Sequence, residues 1–173
     1  MNGHIYYTTV VSPIGQLLLA GDARGLHLIR LVEADAAAEM AKQFPGLVIT
    51  QLDGFFDGAK AALEAYFKGQ GPLALPCYIG NGTPLQRAVW LAMSKIPYGE
   101  TITYTTLAER VGFPRAVRAV ASACGANPLP LAIPCHRVLA KDGSLGGFSL
   151  GGLHVKEELL SIEGVKRAEE AAA

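Results

Sequence analysis

The sequence predicts two parts: an α/β domain over residues 1–80, and a mainly α-helical domain over residues 81–173 that carries a helix-turn-helix. Three observations predict it. Short β-rich runs separated by turn sequences open the chain. Helical periodicity dominates the second half. A Gly- and Pro-rich stretch with turn chemistry, from Gly69-Gln-Gly-Pro72 to Gly80-Asn-Gly82, separates the two as a linker.

Ile5 to Val10, Gln16 to Ala20 and Leu26 to Leu31 read as strands. Ser12-Pro13-Ile14-Gly15 and Gly21 to Gly25 are the turns between them, so three antiparallel strands are the simplest sheet. Ala34 to Phe44 is rich in Ala and Glu and reads as a helix that stops before Pro45-Gly46. Leu47 to Leu52 is a further strand candidate, and Asp57 to Phe67 is a helix ended by Gly69.

In the second half, Thr83-Pro84-Leu85-Gln86 combines an N-cap Thr, Pro at the first helical position and Gln three residues on, a capping box. Leu85, Val89, Ala92, Met93 and Ile96 follow on one face. A second helix spans about Thr105 to Val111, closed by Gly112, and a third runs from near Pro114 to Gly125. Two short helices joined by a Gly-containing turn outline a helix-turn-helix. On the third helix, Ala116, Val117, Val120 and Cys124 share the core face and leave Arg115, Arg118, Ala119, Ser122 and Gly125 outward. Small residues flanked by two arginines let a helix approach a nucleic-acid groove closely. An ordinary Ala-rich amphipathic helix with solvated arginines has the same pattern.

Half of the 173 residues are apolar and 17% are charged, which excludes a disordered or collagen-like chain. Runs such as Leu17-Leu18-Leu19-Ala20 are far shorter than a membrane span, and Met1 to Tyr7 lacks the pattern of a secretory signal. A cytoplasmic location, nucleoid-associated or nuclear where the DNA is, is therefore expected. Fifteen basic and fifteen acidic residues cancel, but unevenly: residues 1–83 carry net −2 and residues 84–168 net +4. Three cysteines without CxxC spacing, Cys77, Cys124 and Cys135, argue against a disulfide framework and a zinc knuckle.

The chemical centre is Asn127 to Val138, where Cys135 precedes His136. Imidazole can take a thiol proton and leave the reactive thiolate. Adjacent side chains in an extended segment point to opposite faces, so a bent backbone or a water must link them, and a carboxylate elsewhere must orient the imidazole. For Cys77 and Cys124 the expected role is that of small buried hydrophobes.

Pro134-Cys135-His136-Arg137-Val138, preceded by Asn127-Pro128 and by Ile96-Pro-Tyr-Gly-Glu-Thr101 with Tyr104, closely resembles the O6-alkylguanine-DNA alkyltransferases. Lys156-Glu157, Leu159-Leu160 and Glu163-Gly164 extend the ordered motif set, which covers Thr83 to Gly164. The resemblance implies a ribonuclease H-like N-terminal domain and a winged-helix C-terminal domain. It implies that Cys135 takes an alkyl group from O6 of guanine, and less efficiently from O4 of thymine, in nucleotides flipped out of double-stranded DNA bound through its minor groove. The thioether product has no good leaving group, so one chain reacts once. His136 would be the base acting through water, Glu163 would orient it, and Tyr104 would donate towards guanine N3. The carbonyls of Cys135 and Val138 would accept from the exocyclic amine, and Asn127 would be the hinge. Arg118 would fill the space of the extruded nucleotide. Arg115, Ala119, Ser122, Gly125, Thr105 and Thr106 complete the expected DNA face.

After the expected wing turn at Lys141-Asp142-Gly143, the loop Gly146 to Gly152 has Phe148 and Ser149 where family members often carry a Tyr. Ser149 or a loop amide is a candidate contact to O6. No cofactor and a monomer are expected, and no metal, since no cysteine precedes Cys77 to supply the ligands of the zinc site of some relatives. Two alternatives are a non-catalytic lesion binder, against which Cys135 itself argues, and a cysteine hydrolase, for which no hydrolase motif is present.

Overall fold

In the first part of the chain, β1 (His4–Ser12), β2 (Gly15–Asp22) and β3 (Gly25–Leu31) form an antiparallel meander. A computed structural model supplies this architecture and describes residues 3–165. The β1–β2 turn needs glycine, because residue 15 sits at φ +123° where a Cβ is disfavoured. At the next turn, Asp22 accepts from the Arg24 backbone N–H at 2.9 Å and pairs with its guanidinium at 2.7 Å.

Helix α1 (Ala36–Gln43) starts at Asp35, whose carboxylate accepts from the Ala38 N–H at 3.0 Å. The sheet differs from the antiparallel trio expected. Residues Val48–Gln51 form β4 parallel to β1, giving a mixed sheet in the order β3-β2-β1-β4. A parallel neighbour needs a long crossover, and the segment through α1 supplies it. Period-two alternation puts Ile5 and Tyr7 of β1, Leu18 and Ala20 of β2 and Leu28 of β3 on one face against Met40 of α1. Met40 is fully buried, which contributes about 2 kcal/mol.

Helix α2 (Asp57–Phe67) ends at Gly69, φ +71°, with Gly69 N–H donating to Tyr66 O and Gln70 N–H to Ala65 O. The linker beyond it is partly ordered onto the sheet. Leu26 N–H donates to Pro76 O at 2.8 Å and Tyr78 N–H to Leu26 O at 2.8 Å, a short parallel rung along the edge of β3.

A second compact unit begins at Asn81. Helix α3 (Pro84–Ser94) carries the expected capping box: Gln86 N–H donates to Thr83 Oγ1 at 3.1 Å, and Thr83 N–H to Gln86 Oε1 at 2.9 Å. Val89, Met93 and Ile96 are buried as the periodicity requires, and Trp90 is buried with them, its indole N–H donating to Ala123 O at 2.8 Å. Thr103 caps α4 (Tyr104–Arg110) by accepting from the Thr106 N–H at 3.0 Å, which makes Tyr104 its first residue. Helix α5 (Val117–Gly125) begins three residues later than expected from Pro114, because 113–116 closes as a turn in which Ala116 N–H donates to Phe113 O at 2.9 Å.

Residues Cys135–Arg137 form one 3-10 turn, and β6 (Val138–Leu139) follows, paired parallel with β5 (Ile102–Thr103). The expected wing turn is present: Ala140 N–H donates to Ser144 O at 2.9 Å and Gly143 takes φ +84°. Helix α6 (Leu153–Ile162) closes the unit. No described helix is long and apolar enough to cross a membrane.

Candidate active site

Cys135 and His136 lie on a bent backbone. Cys135 N–H donates to Ile133 O at 2.8 Å and Arg137 N–H to Pro134 O at 3.1 Å, so the dipeptide lies in a tight turn and not in an extended strand. Upstream, Asn127 is buried and spans its own loop, donating from Nδ2 to Ile133 O at 2.9 Å and accepting from the Leu129 N–H at 2.9 Å. Leu131 in that loop takes φ +75°, a conformation unfavourable for a side chain with a Cβ and held by packing around a buried leucine.

Glu163 sits where α6 stops. Gly164 adopts φ +74°, with Gly164 N–H donating to Ser161 O and Val165 N–H to Leu160 O, so the helix ends there and turns the carboxylate inward. A carboxylate at a helix C-terminus opposes the helix dipole. Three partners offset this: His136 Nε2 at 2.5 Å, Arg137 Nε donating at 2.7 Å and the Gly99 N–H donating at 3.3 Å. Arg137 Nη1 also donates to Ile96 O at 2.6 Å. The sequence singled out Glu163 and His136 but gave no role to Arg137, the buried cation that holds the carboxylate in place.

Burial pushes the Cys135 thiol above its ordinary value, while Asn127, Lys156 and the loop amides pull it back. The resting group is therefore a thiol in need of a base. Burial also lowers the His136 pKa, partly opposed by Glu163, so the imidazole is neutral and able to accept a proton. With Nε2 engaged by Glu163, Nδ1 is the nitrogen left over, and it has no hydrogen-bond partner among the described residues.

A cavity of about 420 Å³ opens at Cys135, walled by Tyr104, Cys124, Gly125, Phe148 and Ser149. Burial raises Tyr104 to about 12, which keeps the phenol protonated and able to donate. Cys124 is likewise pushed to about 12, and Cys77, in the other unit, to about 11. Val138 is fully buried directly after the turn. Arg115, Arg118, Ala119, Ser122 and Gly125 are all exposed, and Gly125 carries that stripe to the cavity mouth. Thr105 and Thr106 are only half-exposed, and the Thr106 hydroxyl accepts from Thr103 Oγ1 at 3.1 Å, so capping occupies part of its polar surface.

Lys156 belongs to the ordered motif set but carried no expected role. It is fully buried and donates to Val138 O, Leu145 O and Gly147 O, and its pKa is pushed down to about 8 by burial. Its position was legible: Leu159 and Leu160, three and four residues on, put Lys156 on the apolar face of α6. Among the described residues, no group of three or more His, Cys, Asp or Glu is placed to hold a metal ion.

Residues 84–165 match the 6-O-methylguanine DNA methyltransferase, DNA binding domain, and residues 5–75 match the ribonuclease-like domain of the same family. The chain belongs to this family. It is 39% identical over 160 residues to a methylated-DNA–protein-cysteine methyltransferase of Methanosarcina acetivorans, covering 92% of this chain and 99% of that one. Crystal structures of Mycobacterium tuberculosis O6-methylguanine methyltransferase (TM-score 0.80, 36% identity, 97% and 98% of the two chains) and of Mycobacterium tuberculosis OGT in complex with DNA (0.78, 38%, 92% of each) share its architecture. Family membership accounts for the two-part layout, a ribonuclease-like α/β unit followed by a helical DNA-binding unit.

Proposed function

We propose that this chain performs its family's reaction, direct repair of DNA by alkyl transfer from O6 of guanine to a cysteine, with Cys135 as the acceptor. The observation that carries the assignment is the placement of Cys135 on the cavity, with His136 next to it in the same turn and held by Glu163 from the end of α6. A water at Nδ1 of His136 relays the thiol proton to the imidazole. The thiolate attacks the alkyl carbon, a C–S bond forms, the C–O6 bond breaks and its electron pair stays on guanine. Tyr104 donates to N3 of the departing base, and the proton gained by His136 balances the one the base takes up. The cavity is too small for duplex DNA, so the nucleotide must leave the stack, at a few kcal/mol.

On this reading α5 lies in the minor groove, with Arg118 filling the space of the flipped nucleotide, Arg115 on phosphate and Ala119, Ser122 and Gly125 allowing close approach. Cys135 and Val138 carbonyls receive the exocyclic amine, Ser149 faces O6, and Thr105 and Thr106 lie near the backbone of the duplex. The chain acts as a monomer in the compartment that holds the DNA. Intact mass before and after incubation with an O6-methylguanine duplex tests the reaction, and peptide mapping tests the residue. One added methyl on Cys135, lost in Cys135→Ala, is expected. A methyl on Cys77 or Cys124, or full transfer by Cys135→Ala, overturns the assignment.

A further inference from the structure

The mechanism above gives the buried cation Lys156 no task. Lys156 lies on α6, wholly enclosed, and a buried ammonium is retained only where its charge and all its donors are met. The ammonium has three N–H donors, and three backbone carbonyls receive them: Val138 O at 2.7 Å, Leu145 O at 2.5 Å and Gly147 O at 3.2 Å. The first belongs to the strand leaving the Cys135 turn. The other two flank Gly146 in the loop that walls the cavity.

That loop is pressed against a second cavity wall. Gly146 takes φ +66°, and a Cβ there would stand 3.1 Å from the Tyr104 ring. Gly147, Phe148 and Ser149 line the cavity directly beyond it. The Lys156 ammonium is 5.8 Å from the Tyr104 ring centroid and 5.9 Å from that of Phe148, too far for either ring to replace a carbonyl. One side chain thus ties three things together: the strand after the nucleophile, the loop over the cavity and the helix that ends in Glu163.

We propose that Lys156 is a positioning residue for alkyl transfer: it clamps the 145–147 loop to Val138 and so fixes the width of the cavity that receives the alkylated base. It touches no reacting atom. The groups that face it are Tyr104 from α4, Cys124 from α5, and Cys135 and His136 from the turn. Tyr104 and Cys124 are pushed to about 12, the Cys135 thiol is raised and His136 is lowered, whereas Lys156 itself is near 8. Between neutral and moderately alkaline pH, Lys156 is therefore the group of this cluster that changes charge. A neutral amine offers two donors to three carbonyls, so the clamp loosens there.

The proposal rests on Cys135 being the acceptor, and its test separates the two. Single-turnover rates of the full chain are measured with free O6-benzylguanine, which needs the cavity, and with iodoacetamide, which needs only the thiol. In Lys156→Met the first rate should fall by about tenfold or more, as a misplaced binding wall implies, and the second by less than about threefold. Equal losses, or no loss in either, overturn the clamp. Alkylation of the wild-type chain anywhere but Cys135 overturns the acceptor assignment instead. Should Lys156→Met fail to fold, amide exchange in the wild-type chain replaces it. From pH 7 to about 9.5, amides 145–149 should lose protection relative to those of α3 after correction for hydroxide catalysis. Unchanged relative protection overturns the proposal.

Discussion

Glu163→Gln is the most informative single change in the His136 network. The glutamine carbonyl can still accept from Arg137 Nε and the Gly99 N–H, which now reach Oε1 at 2.7 and 3.3 Å. Its amide must then face His136 Nε2, where the carboxylate stood at 2.5 Å, and an amide N–H there forces that nitrogen to accept. The imidazole proton moves to Nδ1, the nitrogen needed as the base. Hydrogen bonds to a charged group contribute about 1.5–3 kcal/mol and neutral ones about 0.5–1.5, so weakening the bonds to Arg137 and His136 costs about 2–3 kcal/mol. For a chain of this length that lowers Tm by about 4–12 °C. General-base catalysis contributes about 100-fold or more, so transfer should slow by at least that factor while affinity for undamaged duplex stays within about twofold. Quenched time courses with a labelled-methyl duplex, taken well below the variant's Tm, read the rate, and fluorescence anisotropy reads affinity. A variant that transfers at the wild-type rate would show that Glu163 serves only the fold and that the proposed proton relay is wrong.

Arg118→Ala should slow repair of O6-methylguanine in duplex DNA by about tenfold or more but leave reaction with the free base within about twofold, since filling a vacated stack matters only where there is one. Equal losses on the two substrates would remove that role. Asn127→Ala leaves the buried Ile133 carbonyl and Leu129 N–H without their side-chain partners and should lower unfolding free energy by about 2–4 kcal/mol, read from urea midpoints. His136 is held below its ordinary value of 6.5 in the folded chain, so the unfolded chain binds the proton first. Stability should be full above about pH 6.5 and decline between about 6.5 and 5, before the carboxylates titrate; a flat urea midpoint across that window would contradict a buried neutral His136.

Local signals carried most of what the sequence could reveal. The capping box at Thr83 and Gln86 and the glycine stops at Gly69 and Gly112 depend on residues within one turn of each other, and the elements begin or end where those residues place them. The pairing of β4 with β1 depends on residues more than 40 positions apart, and nothing in Val48 to Gln51 distinguishes a parallel from an antiparallel neighbour. Cys135 and His136 were legible as a reactive pair because they are adjacent. Arg137 was not, since its partner carboxylate lies 26 residues away and a basic residue is ordinarily read as solvated. Trp90 shows the limit of periodicity alone: it falls beside the apolar stripe of α3, and its bond to Ala123 O explains why that position is enclosed.

The rung that Pro76 and Tyr78 add to Leu26 has a consequence for handling the first unit by itself. An open sheet exposes two edges whose unpaired N–H and C=O groups can template pairing with another chain. Here one edge is the four-residue β4, too short to pair stably, while the seven-residue β3 would be the exposed one if the chain ended at Gly69. Residues 76–78 occupy part of it, and Gly25 lets them come close, since a Cβ there would stand 2.8 Å from the Pro76 carbonyl. A fragment ending at Gly80 should accordingly stay dispersed at concentrations where one ending at Gly69 self-associates, a difference that light scattering would register. The connecting segment thus acts as a built-in guard against aggregation as well as a tether.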